Sequence, residues 1–129
     1  DPNYQSAEKG RYLATVACLY CHTPELSPGV LDMSKAFAGG RIIRRAGEAV
    51  PYTVTNITPD ATGIQGWNAG DIAQSIKSNT EKQTARILCA PMPGGPAKFG
   101  GMDVADLKDI GTYLSTIPPI VNGPFKCQP

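Results

Sequence analysis

Residues 18–22 read Cys18-Leu19-Tyr20-Cys21-His22, and this short run decides how the rest of the chain is read. Two thiols three positions apart at a helix end lie on one face, and an imidazole adjoins them directly. The spacing matches the CxxCH pattern, at which two thioether bonds fix one porphyrin and the histidine reaches the iron as its proximal ligand. The run also closes the first amphipathic segment, a helix expected from about Ser6 to Tyr20 with Ser6 as N-cap. Leu13, Val16, Ala17 and Tyr20 recur there on one face at three- and four-residue spacing. Cys18 and Cys21 are therefore assigned to the attachment of one haem c, and His22 to its iron.

Other uses of a CxxC pair fit less well. A thioredoxin-like pair belongs after a strand, at a helix N-terminus where the dipole lowers a thiol pKa, whereas this pair follows a helix. A zinc site built from Cys18, Cys21, Cys89 and Cys127 has four sulfurs but lacks a second closely spaced pair. Ordinary structural thiols leave the sequence from Thr23 to Gly66 unexplained. Periodicity vanishes there, with Pro24, Pro28, Gly29, Gly39, Gly40, Gly47, Pro51, Pro59 and Gly63 interrupting every apolar run. At most a ribbon around Tyr52 to Ile57 is expected. So long an irregular connection is expected only where the chain wraps a bulky group that is not protein.

The 129 residues form a single expected domain, residues 1–129, with 41% hydrophobic residues. Gly 14 and Pro 12 leave little room for long helices. A formal charge of +1, from 12 basic and 11 acidic residues, provides no general field for nucleic acid. No apolar run is long enough for a membrane span. A second helix is expected over residues 69–78, capped by Asn68 with Asp71 at its third position and burying Ile72, Ala73 and Ile76. A last helix starts at the Asp103 cap, with Asp106 in its first turn. It carries an apolar stripe of Val104, Leu107, Ile110 and Leu114, and stops before Pro118 and Pro119. The chain opens at Asp1 without a charged-plus-apolar leader, so an export signal is expected to have been removed already.

The sixth iron position separates electron carriers from enzymes and gas binders. His22 is the only histidine, so a second imidazole from the chain is excluded and Met33, Met92 and Met102 are the sulfur donors to consider. Met33 follows His22 too closely to cross to the opposite face, and Met102 reads as an apolar contact at a helix entry. Met92 lies in Cys89-Ala90-Pro91-Met92-Pro93-Gly94-Gly95, where flanking prolines favour an extended loop, and it is the preferred distal ligand. Its bland alternative is a core gap-filler. The remaining cysteines, Cys89 and Cys127, are expected to form a disulfide, which contributes about 3–4 kcal/mol in the chain-entropy account and implies an oxidising compartment. The sequence does not single out the carbonyl that accepts from the His22 ring.

These residues resemble the class I c-type cytochromes: a first helix ending in CxxCH, a downstream loop methionine, and a C-terminal helix ending in Tyr113-Leu114 before prolines. Finer blocks are similar to the cytochrome domains of bacterial periplasmic dehydrogenases. They are Phe37-Ala38-Gly39-Gly40, Thr55-Asn56-Ile57-Thr58-Pro59-Asp60, Thr62-Gly63-Ile64, Gly66-Trp67 and Ala90-Pro91-Met92-Pro93. The resemblance implies an all-α class I cytochrome c fold, with three or more short helices and long loops around one covalent haem. It implies crossing of the first and last helices, with Gly10 as their close-approach point. It also implies that the segment around Asn56 and Trp67 lies by the haem propionates; the alternative makes Ile57 and Trp67 wall of the apolar pocket. Arg41, Arg44 and Arg45 either neutralise a propionate, dock an acidic partner or, as the reading preferred from sequence, form a solvated loop.

The expected function is periplasmic transfer of single electrons between redox proteins, a dehydrogenase or other donor and an oxidase or other cytochrome acceptor, without bond chemistry. A near-neutral carrier should associate with its partners with little salt dependence. One rival is a haem enzyme or gas binder with an open or labile sixth position, disfavoured because no distal histidine remains as a base. Another is a permanent cytochrome subunit of a dehydrogenase complex, which should expose a large apolar face.

Overall fold

The computed structural model describes residues 2–89 and 92–127. In chain order it contains helix α1 (Pro2–Ala17), a single helical turn α2 (Leu19–His22), strands β1 (Glu25–Ser27) and β2 (Val30–Leu31), and strands β3 (Ile42–Ile43) and β4 (Tyr52–Thr53). Helices α3 (Ala69–Ser78) and α4 (Val104–Leu114) follow. β1 pairs with β2 and β3 with β4, each antiparallel, making two separate two-stranded sheets. The architecture is thus mixed and mostly helical, which corrects the all-α expectation. The ribbon expected at Tyr52–Ile57 forms only at Tyr52–Thr53, and the hairpin at 25–31 was not legible from periodicity. Strands of two or three residues, closed by Pro28-Gly29 in the first ribbon and by residues 44–51 in the second, are too short to leave an alternating pattern.

The described residues form two compact units. One comprises residues through Ala14 together with Trp67–Thr116; the other comprises Thr15–Gly66 and the segment from Ile117 onward.

In the first unit α3 packs on α4. The Asn68 side chain accepts from Asp71 N–H at 2.8 Å while Asp71 Oδ2 accepts from Asn68 N–H at 3.0 Å, the reciprocal cap expected from sequence. Ile72, Ala73 and Ile76 are buried on α3, and Leu107, Ile110 and Leu114 on α4. Val104, assigned to the same stripe, is exposed because it occupies the first turn of α4. Gly111 permits this packing: a Cβ there would lie 2.8 Å from the Ala69 backbone.

Helix α1 departs from its expected bounds and face. It begins at Pro2, so Ser6 is an interior residue, and its hydroxyl donates to Asp109 Oδ1 at 2.5 Å instead of capping. Gly10 lies against the Asp109 carbonyl and Tyr113, so its lack of a Cβ allows α1 to meet α4, as expected of the close-approach point. Lys9 pairs with Asp106 at 2.6 Å beside this contact. The inward stripe is therefore Ser6, Gly10 and Ala14, whose small side chains admit close backbone approach. Val16 is 71% and Tyr20 59% exposed, although periodicity placed them inward. Hydrophobic spacing identifies a helical face but not what covers it.

Candidate functional site

Helix α1 ends at Ala17, and Cys18 caps the single turn α2 in the second unit. His22 N–H donates to Cys18 O at 2.9 Å, closing one tight turn around the two thiols. Cys18 is buried, Cys21 half-buried, and both are free. Burial, reinforced by the neighbouring Cys21, pushes the Cys18 thiol up to about 12. Cys18 therefore stays protonated at neutral pH, the opposite of a thioredoxin-type nucleophile.

His22 is buried, and burial holds its pKa below the ordinary value, partly opposed by a hydrogen bond to the Thr55 backbone. Nδ1 lies 2.8 Å from Thr55 O. Since a carbonyl only accepts, the neutral ring carries its proton on Nδ1 and presents a lone pair at Nε2, which no described residue engages. This is the tautomer of a ligating histidine whose orientation is fixed by a backbone carbonyl.

The Thr55 carbonyl is itself held by the local fold. Gly39, at φ +72°, lies directly against the Thr55–Asn56 peptide, and its N–H donates to His22 O at 2.8 Å. A left-handed backbone and this close approach both require glycine. Thr23, fully buried beside His22, accepts at its hydroxyl from Phe37 N–H at 3.1 Å, and Ile57 N–H donates to Phe37 O at 2.9 Å. The block Phe37-Ala38-Gly39-Gly40 thus joins the CxxCH turn to the 55–57 segment. Its sequence signal was the paired glycines; the role of Thr55 had none, because an acceptor carbonyl leaves no side-chain mark.

Asn56 is buried with its amide engaged inside the protein. Nδ2 donates to Thr62 Oγ1, Ile120 O and Asn122 O at 3.0, 2.8 and 3.2 Å, while Oδ1 accepts from Thr58 N–H at 2.8 Å and from Thr58 Oγ1 at 2.7 Å. Both amide hydrogens are committed, so Asn56 shapes the site through the backbone it holds. Ile57 is half-buried beside it.

Arg41 departs from the solvated-loop reading. Its side chain is only 11% exposed, its guanidinium stacks 3.8 Å from the Tyr20 ring centroid, and it donates to Tyr20 O at 2.6 Å. Glu25 Oε1 lies 3.3 Å from its Nε. Arg41 therefore clamps Tyr20, one of the two residues between the thiols. Arg45 pairs with Glu48 at 3.5 Å, and Arg44 is exposed.

Trp67 and Met92 belong to the first unit. Trp67 is half-buried, its indole N–H 3.0 Å from the Gln83 amide oxygen when that amide donates to Glu81. Met92 is half-buried in a loop, its N–H donating to Cys89 O at 3.0 Å. That loop docks on the end of α3, where Gly95 N–H donates to Ile76 O at 2.8 Å. Ala90 and Pro91 of the same block lie outside the described residues. Met33 is 58% exposed in a short helical turn, and Met102 is half-buried just before α4.

Cys89 and Cys127 are joined in a disulfide, as expected. Neither is a free thiolate, which removes the four-cysteine zinc reading. No group of three or more His, Cys, Asp or Glu side chains suited to a metal ion occurs among the described residues. No helix among them is long and apolar enough to cross a membrane.

No family model matches the chain, and no curated protein matches it in sequence.

Proposed function

We propose that this chain is a monohaem electron-transfer protein of the class I c-type cytochrome kind, acting in the periplasm between redox partner proteins. The observation that carries the reading is the state of His22: a buried neutral imidazole oriented by the Thr55 carbonyl, with Nε2 free, on the same turn as two free thiols. The residues of the turn fit a haem c, with Cys18 and Cys21 as the attachment points and His22 as the proximal ligand; Met92, the sulfur donor preferred from the sequence, would be the distal one.

When bound, the haem supplies a one-electron couple at its iron. The chain contributes orientation and electrostatics. The Thr55 carbonyl fixes the ring of His22 and raises its basicity at Nε2. A neutral methionine sulfur favours the reduced iron relative to a second imidazole and so raises the potential. Arg41, stacked on Tyr20 and paired with Glu25, holds the backbone of the attachment turn through its bond to Tyr20 O. A haem held by both His22 and Met92 would have no open iron position for a substrate, which suits electron transfer better than peroxidase-like or gas chemistry. The disulfide is compatible with an exported protein.

The test is the near-infrared spectrum of the oxidised, haem-loaded protein. Methionine bonded to iron(III) gives a weak charge-transfer band there, expected in wild type and absent in Met92→Ala. A high-spin wild-type spectrum without that band overturns the His22/Met92 assignment in favour of an open iron.

A further inference from the structure

We propose that the C-terminal segment 117–127 is a positioning strap for the proximal histidine, with Asn122 as the residue that transmits its hold. This deepens the preceding reading and rests on His22 as the iron ligand.

Asn122 Nδ2 donates to Ala38 O at 3.1 Å and to Gly39 O at 3.3 Å. Gly39 N–H donates to His22 O, and the same glycine abuts the Thr55 peptide whose oxygen accepts from His22 Nδ1. One peptide unit therefore lies between the strap and the backbone of His22, and two lie between the strap and its ring. The strap is also anchored through its own backbone. Asn122 N–H donates to Thr62 Oγ1 at 3.0 Å, and Cys127 O accepts from Thr53 N–H at 2.8 Å, two residues before Thr55. It thus grips both backbone segments that hold His22, the 38–39 turn and the run leading into Thr55.

The consequence is electronic as well as mechanical. A well-held Nδ1–H···O bond makes the imidazole a stronger donor at Nε2, which stabilises the oxidised iron and lowers the potential. Loosening the strap weakens that bond, raises the potential and exposes the ring N–H to exchange. The hydrogen bonds of Asn122 go to Ala38, Gly39, Asn56 and Thr62 and none reaches the His22 ring, so it is a positioning residue.

The experiment compares wild type, Asn122→Ala, Asn122→Ser and the exposed control Lys126→Ala. The readouts are the midpoint potential of the haem-loaded protein and hydrogen exchange at His22 Nδ1–H by nitrogen-15 NMR. Both Asn122 variants should exchange the ring proton roughly tenfold faster or more and show a higher potential, with Lys126→Ala unchanged. Asn122→Ser is the milder change should Asn122→Ala not fold. Wild-type exchange and potential in a folded Asn122→Ser protein overturn the strap. If the wild-type chain carries no covalent haem, the electron-carrier reading falls, while ring exchange in the haem-free chain still decides the strap.

Discussion

At the scale of single residues, the site depends on a histidine kept neutral by burial and aimed by one carbonyl. In the haem-free chain the folded pKa of His22 lies below its ordinary value of 6.5, so the unfolded state binds the proton more readily. The stability from the neutral ring is present above pH 6.5 and is lost as pH falls from there through the folded pKa. Urea midpoints measured on the haem-free chain from pH 7 downward should therefore decline, and His22→Asn should flatten that part of the profile. A wild-type profile as flat as that of His22→Asn counts against burial of the neutral ring. Gly39 offers a second test. A methyl group there meets the Thr55 carbonyl in a left-handed backbone, so Gly39→Ala should cost about 2–4 kcal/mol in the urea-derived stability. A loss within experimental error contradicts the close packing of these segments.

At the scale of elements, the two helices with explicit caps are where sequence and structure agree best. Asn68→Ala removes the reciprocal cap of α3 and should cost about 1 kcal/mol, read as a lower urea midpoint with an unchanged slope. An unchanged midpoint means that tertiary packing alone holds the helix start. Capping residues were legible because their chemistry is local: Asn68 with Asp71, and Asp103, each mark a helix start by side-chain type and spacing. Gly10 was legible only through the resemblance, which supplied the partner helix. The face of α1 was not legible, because Leu13, Val16 and Tyr20 form as regular a stripe as Ser6, Gly10 and Ala14, and small residues weigh little in a hydrophobic pattern. The thiols and imidazole of the candidate site stood out in the motif. Thr55 did not, since its contribution is a backbone oxygen brought to His22 by residues distant in sequence.

At the scale of the whole molecule, the chain combines a high share of Gly and Pro with few long elements, and its integrity depends on cross-links as well as packing. The bond between Cys89 and Cys127 closes a long loop containing Met92 and α4, and reducing it should lower stability by about 3–4 kcal/mol. Denaturant titration with and without reductant, with thiols then blocked, measures this directly; coincident curves show that the loop is held without the bond. The central claim is covalent attachment of one haem to Cys18 and Cys21. Its most direct test is the intact mass of the chain produced with a haem-attachment system, before and after denaturation. One haem should be retained through denaturation in wild type and lost in the Cys18→Ala, Cys21→Ala double variant. A wild-type chain that keeps both thiols alkylatable and releases all haem on denaturation contradicts it.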